Sequence, residues 1–500
     1  MSESRTITWP VWARNVPYAS IVAFFIPFAI YVASSPQSVG FWDTAEMQTV
    51  PYILGISHPT GFPTFVFAGW IVGHLVPLGT VAWRMNVLSG AAMALAAWCV
   101  YASVVELEGK RWLGAFAAIL FGVGDVAWTR GSRAEVHSFL IAFAALTVWL
   151  VVRWRRTGEE RTLLAAGFAY GLALATHGLA VLMAPGLTLL LFPRIREVRL
   201  QTLLHAAGHV VLPCLLYAYI PLRSSYLYAH RVDPTLSLGL PPGRPFWDDQ
   251  HPANFGAFLH YMAGGESSAI GSGFGAMLNF VNYESVSMRF GTAAVHEFGF
   301  VAVVFAVLGL AMLVRTNWFL ALGLVVTCTP CIPFGLLYPE ADPDRYLLTA
   351  FWLSAVLTAV GVSRITVAYL DRRDVLTDAL GLALMLAFTL GIFRSNVPDF
   401  DSRRDNGPTQ LVDHTIEHTP DNAILIAHWA YGTALGYAAY VERRLGNRIV
   451  VIGFSGDHKE FYPIWLRTRP IYLVNQAYTD PDFRIAPVST DPTIVRLLPK

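Results

Sequence analysis

Charge is what this sequence has least of. Only 14% of its 500 residues are Asp, Glu, Lys or Arg, against 55% hydrophobic. Soluble domains carry about a quarter charged residues, so a chain solvated on every side is excluded. Cysteine is scarce too: Cys99, Cys214, Cys328 and Cys331 all fall inside apolar runs, which implies no disulfide framework. No second Cys or His pair accompanies Cys328-Thr-Pro-Cys331, which reads as helix packing beside a proline rather than as a redox or metal site. A net charge of +1 without a Lys/Arg block leaves nothing that would attract nucleic acid.

What is present is a series of apolar runs of about 20 residues, the length that crosses a bilayer as a helix. They predict a polytopic α-helical membrane protein with about 11 transmembrane helices, near 16–34, 83–105, 112–129, 136–153, 162–176, 178–192, 203–222, 291–314, 317–337, 346–369 and 377–393. Arg5 and Arg14 precede the first run in the manner of a signal anchor, and Ala33-Ser34-Ser35 only weakly resembles a cleavage site. Lys110-Arg111, Arg153/Arg155/Arg156, Arg194/Arg196/Arg199, Arg315 and Arg364/Arg372/Arg373 then fall in turns on the side of the N-terminus. The positive-inside rule makes that side cytoplasmic.

Two divisions decide this topology. Leu163 to Phe192 would be about 45 Å long as one helix, against a hydrocarbon core of about 30 Å, so a break is expected at Thr176-His177-Gly178. Phe62 to Leu78, weakened by Pro63, Gly73 and His74, is expected to lie along the outer interface. The membrane domain then covers 1–394, with a first outer loop at 35–82 and a large outer loop at 223–290. Shorter apolar runs and more charge mark 395–500 as a small outer α/β domain, with strands at Ala423–Ala427 and Ile449–Phe454.

This topology sorts the polar residues by side. Asp43, Glu46 and His58, Arg84 and Asn86, Arg130, Arg133, Glu135 and His137, His177, Arg223, and Glu340, Asp342, Asp344 and Arg345 all gather at the outer face. Ionisable residues beside a bilayer are costly unless paired or used. Glu135 with Arg133 also suits a plain structural ion pair. A carboxylate there can take a proton from a hydroxyl, and Arg and His can hold the phosphate of a lipid carrier. Sugar transfer from a lipid-phosphate donor to a hydroxyl suits such a set. Asp43 and Glu46 three apart are also a partial divalent-cation site, the weaker reading because no further carboxylate adjoins them in sequence.

The segments WDTAEMQTVPYILGISHPTGFP and AWRMNVLSG resemble the opening signature of a membrane-protein family. It includes the transmembrane-protein-260 type protein O-mannosyltransferases, of the glycosyltransferase class C fold. SRAEVHSF, GLALATHGLAVLMAP, YAYIPLRS, FWDDQHPANFGAFLHYMAGGE and PDRYLL resemble later family segments in the same order. HPTGFP, His137 and Thr176 depart from the pattern and leave the sugar open. The resemblance implies inverting transfer from a polyprenyl- or dolichyl-phosphate sugar, with mannose the family precedent. It implies that Asp43 is catalytic with Glu46 its neighbour, and that His58, Arg84, Arg133 and Arg345 bind donor phosphate. Trp42, Asn86, Glu135, His137, His177 and Asp344 would support them. No metal or resident cofactor is expected. The partners are the bilayer, the donor lipid and a hydroxyl acceptor, protein Ser/Thr by resemblance, with a glycolipid or cell-wall glycan fitting the residues equally. The membrane would be the plasma membrane in a bacterium and the endoplasmic reticulum in a eukaryote. A transporter or flippase, and a scaffold presenting the outer domain, are the rival readings.

Overall fold

The computed structural model describes residues 18–266, 275, 283–337, 342–370, 375–397, 405–476, 482–490 and 493–500. Arg5, Arg14, Glu340, Arg372 and Arg373 lie outside them. The helices run in order α1 (Tyr18–Ser34), α2 (Trp42–Ile53), α3 (Pro63–Leu75), α4 (Val81–Glu108), α5 (Arg111–Gly122), α6 (Asp125–Gly131), α7 (Val136–Thr157) and α8 (Glu160–Leu174). A 3-10 turn (Gly178–Met183) leads into α9 (Ala184–Ile195), α10 (Leu200–Cys214), α11 (Tyr219–Ala229), α12 (Phe255–Met262) and α13 (Tyr283–Phe298). Then come α14 (Phe300–Cys328), α15 (Cys331–Leu337), α16 (Leu348–Leu370) and α17 (Val375–Asn396).

Among the described residues, seven segments are long and apolar enough to cross a membrane, or eight if α5 and α6, bent by 74°, form one span. That is fewer than the apolar runs read from the sequence, partly because α1 and α8 are short, at 17 and 15 residues. Hydrogen bonds show how the chain turns. The Leu163–Phe192 run is broken: α8 stops at Leu174, and Arg194 at the end of α9 donates to the Arg155 carbonyl at 2.9 Å. The end of α9 therefore returns to the end of α7. Residues 300–328 are bent back as well. Asn317 has non-helical φ/ψ, and its side chain accepts from the Leu320 amide to start a new helix. Arg364 reaches the Met312 carbonyl, whereas Thr349 donates to the Cys328 carbonyl. Thr349 and Arg364 are about 22 Å apart along α16 at 1.5 Å per residue. Thr358, between these two points, donates to the Ala302 carbonyl, so the first half runs back along the same stretch of α16 and the two halves form a hairpin.

Small residues permit the close approach of α14 and α16. A Cβ on Gly309 would meet the Leu357 carbonyl and one on Gly361 the Phe305 carbonyl, the small-residue packing expected where lipid supplies no hydrophobic drive. At one end of the bundle Glu106 pairs with Arg153 and Arg156, and Glu108 with Arg364. Asp43, Arg130 and Glu135 lie at the other end.

The C-terminal part contains α18 (Gly407–His418), β1 (Ile424–Ala427), α19 (Trp429–Tyr440), β2 (Ile449–Ile452), β3 (Ile471–Val474), β4 (Phe483–Thr490) and β5 (Thr493–Pro499). The sheet order is β2-β1-β3-β5-β4, parallel across β2-β1-β3 and antiparallel across β3-β5-β4. Every residue of β1 is buried because both faces are covered, as parallel strands require. Ile424 and Ile426 meet Tyr462 and Trp465 on one face. Leu425 and Ala427 meet Leu411 and Leu435 on the other. This part docks on the bundle through α19. The Thr433 hydroxyl donates to the Trp42 carbonyl at 3.0 Å, and the Ala82 amide donates to the Tyr437 hydroxyl at 3.0 Å.

Candidate active site

The site is built on the first turn of α2. Asp43 and Glu46 lie three apart, so both side chains fall on one helical face. Trp42 enters the helix at φ +56° and is 54% exposed, a left-handed conformation that costs a non-glycine residue about 1–2 kcal/mol. At the other end Leu54 is left-handed, and the chain reverses against the Trp247 backbone, to which the Ile56 amide donates. The reversal brings His58 back to Glu46. The His58 amide donates to Glu46 Oε1 at 2.8 Å, and Nδ1 to Oε2 at 2.6 Å. Both Glu46 oxygens are occupied, and the carboxylate is fully buried.

Asp43 is held from farther away. Arg345, 302 residues on, donates to Oδ2 at 3.0 Å, and the Trp429 indole N–H of α19 lies 3.2 Å from Oδ1. Burial pushes the Asp43 carboxyl up, but the His58 and Arg345 cations outweigh it and hold the group below the usual range. Burial dominates for Glu46, which is raised despite His58. For His58, burial lowers the affinity for a proton, but Glu46, Asp43 and Asp249 more than reverse this and raise it to about 9. His58 is therefore a cation at neutral pH. Asp249, from the segment between α11 and α12, is pushed up to about 7 by burial and by Glu46. Asp43, Glu46 and His58 present ligand atoms within 4.8 Å of one another, close enough for a divalent cation. In this arrangement His58 and Arg345 already balance both carboxylates, so an ion would compete with two cations.

Beside the acids is a cluster of cationic donors. Glu135 caps α7 by accepting from the His137 amide, pairs with His137 Nδ1 at 2.8 Å and with Arg130 at 3.1 Å, and stands 4.0 Å from Arg133. Its structural ion pair is therefore mainly with Arg130. Burial opposes ionisation of Glu135, but His137 and then Arg130 hold its carboxyl well below the usual range. Asp342 pairs with both Arg130 and Arg133, the latter at 2.8 Å. Among the described residues, Arg130 Nε, Arg133 Nε, Arg345 Nε and His137 Nε2 are buried without a hydrogen-bond partner. The guanidinium N–H groups are costly unless something accepts from them, and the imidazole nitrogen unless a partner completes it. A chain of rings joins the two halves: His58 to Phe62 at 4.9 Å, Phe62 to His177 at 5.5 Å, His177 to His137 at 5.0 Å and His137 to Tyr346 at 5.0 Å.

The structure thus brings Asp43, Glu46, His58, Arg133, Arg345, Glu135, His137 and His177 to one place. Asn86 supports them, accepting from Gln48 and the Ala134 amide and donating to the Pro36 carbonyl. Arg84 does not join them. Its Nε, Nη1 and Nη2 donate to the Leu78, Gly73 and Gly79 carbonyls, so its charge clamps the turn between α3 and α4 rather than meeting a phosphate. Asp344 is exposed, and Asp342 rather than Asp344 carries the pairing. Trp429 and Asp249 were not singled out by sequence. The one available signal was their setting: WDDQHP in the outer loop, and tryptophan beside tyrosines in the C-terminal part.

Comparison with known proteins bears out the resemblance. Residues 43–200 match the Protein O-mannosyl-transferase TMEM260 N-terminal domain. The chain is 31% identical over 228 residues to Protein O-mannosyl-transferase TMEM260 of Mus musculus, covering 43% of this chain and 32% of that protein. It is 31% identical over 141 residues to Protein O-mannosyl-transferase tmem260 of Dictyostelium discoideum, covering 28% and 17%. The chain therefore spans about a third or less of the length of these relatives. ArnT from Cupriavidus metallidurans bound to undecaprenyl phosphate superposes with a TM-score of 0.56 at 12% identity, over 95% of this chain and 97% of that one. Its apo state gives 0.52. The fold is of the glycosyltransferase class C type, in a multi-pass membrane protein with a small C-terminal sheet.

Proposed function

From the TMEM260-type N-terminal domain and this fold, we propose that the protein is a membrane glycosyltransferase. It would move a sugar from a polyprenyl-phosphate donor to a hydroxyl acceptor at the outer end of the bundle. The observation that carries the reading is Asp43, held ionised between Arg345 and Trp429 with unpartnered guanidinium nitrogens beside it. Undecaprenyl phosphate in the ArnT neighbour supports a lipid-phosphate donor. The names of the sequence relatives support mannose as the sugar and protein Ser/Thr as the acceptor.

The chemistry follows from the charges. The acceptor oxygen attacks the anomeric carbon on the face opposite the phosphate, inverting that centre. As the new C–O bond forms, the hydroxyl proton passes to Asp43. The anomeric carbon–oxygen bond to phosphate breaks, and its electron pair leaves on the phosphate. Arg133 and Arg345, each with a free Nε–H, stabilise that charge. His58 donates to both Glu46 oxygens and adds a third cation. The Trp429 N–H fixes the second Asp43 oxygen, which gives the C-terminal domain a direct part in the site.

The test is product analysis. The purified chain is incubated with a panel of polyprenyl-phosphate sugars, mannose included, and Ser/Thr-bearing peptides, and the peptides are weighed by mass spectrometry. A gain of one hexose is expected with one donor. Solute uptake by liposomes carrying the protein, without any glycosidic product from peptides or glycans, would instead establish a transporter. Trp429→Phe keeps an aromatic side chain and removes the indole N–H donor. It is expected to lower kcat about 10- to 100-fold, the worth of a hydrogen bond to a charged group. An unchanged kcat would remove Trp429 from the site.

A further inference from the structure

A second cluster of ligating side chains lies on α18, away from the acids of α2. His414, Glu417 and His418 spell His-x-x-Glu-His, and spacings of three and four put all three on one helical face. Their candidate ligand atoms all lie within 4.8 Å of one another, and the two imidazole centroids are 3.9 Å apart. We propose that these three residues bind a divalent transition metal, with Zn2+ the ion that best suits two imidazoles and a carboxylate.

The hydrogen bonds around the rings suit this role. His418 Nδ1 is 2.9 Å from the His414 carbonyl. The proton on Nδ1 donates there, which leaves the Nε2 lone pair for a metal. Such an outer bond to a backbone carbonyl commonly orients metal-binding imidazoles. His414 Nε2 bonds the Ser489 hydroxyl. With Nε2–H as donor, the His414 Nδ1 lone pair is available. The cluster occupies the last turns of α18, where the helix dipole favours positive charge. Glu417 is exposed and can swing onto the ion at little structural cost. Three protein ligands leave a fourth tetrahedral position for water.

Ser489 belongs to β4, the edge strand of the sheet, and His414 is already tied to it. An ion on His414 would therefore stiffen the contact between α18 and that edge. The role assigned is stabilisation of the C-terminal domain, independent of any transferase activity.

The test uses the full chain in detergent, stripped with a chelator and then titrated with Zn2+ by calorimetry and with Co2+ by visible absorption. One equivalent of Zn2+, a tetrahedral Co2+ spectrum and a rise in melting temperature are expected. Glu417→Gln, an exposed change that leaves the helix intact, should weaken Zn2+ affinity at least tenfold. His418→Ala should abolish the Co2+ spectrum while circular dichroism stays unchanged. No binding of either ion by the unsubstituted chain would overturn the proposal. So would binding that survives both variants and disappears with Glu46→Gln, which would place the ion among the acids of α2.

Discussion

Asp43→Asn is expected to reduce sugar transfer about 10²- to 10⁴-fold, the usual contribution of a positioned proton acceptor, while leaving a folded protein. The amide keeps the shape of the side chain, and its oxygen can still accept from Trp429. It has no charge to hold Arg345 and cannot take the acceptor's proton. Asp43 suits the role because the His58 and Arg345 cations overcome burial and keep it ionised. Glu46 suits it less, since its side chain is 0% exposed, whereas that of Asp43 is 34% exposed and within reach of an acceptor. Initial rates of product formation, measured by mass spectrometry with the donor that the panel identifies, decide the matter. A wild-type rate in Asp43→Asn would overturn the assignment.

Arg345→Gln is expected to fall almost as far, about 10²- to 10³-fold, the cost of losing one preorganised donor at a developing oxyanion. Two losses combine. Asp43 loses the partner at Oδ2, so burial acts on it less opposed. The leaving phosphate loses a buried N–H that has no other partner. The conservative Arg345→Lys should restore little, because a point charge cannot reach Oδ2 and present a second fixed donor as a guanidinium does. A role in phosphate binding predicts that kcat falls and the donor KM rises together. A change confined to the acceptor KM, or a Lys variant at the wild-type rate, would remove Arg345 from the donor site.

The bundle was largely legible because its signals are local. Apolar runs of spanning length and the break at Thr176–Gly178 both act over a few tens of residues or fewer. The β1 and β2 strands were legible for the same reason: short β-branched and aliphatic runs between turn residues. The polar residues were legible as a set that gathers at one end of the bundle, but not by what each touches.

Arg84 and Arg345 show where the sequence stops. Each follows an apolar or turn segment at the same end of the bundle, and nothing adjacent distinguishes them. One turns onto three carbonyls of its own loop, and the other reaches Asp43 across 302 residues. Asp342 and Asp344 differ likewise: Asp342 bridges two arginines and Asp344 faces outward. Trp429 is farther still, 386 residues from the carboxylate it meets, and its place depends on the docking of α19 against α2. By itself the sequence determined the membrane class and the main breaks between helices, because hydropathy and turn chemistry are short-range. Only the tertiary structure decided which cation neutralises which acid. A buried charge is worth keeping only against a partner a few ångströms away, and that proximity is set by packing between distant segments.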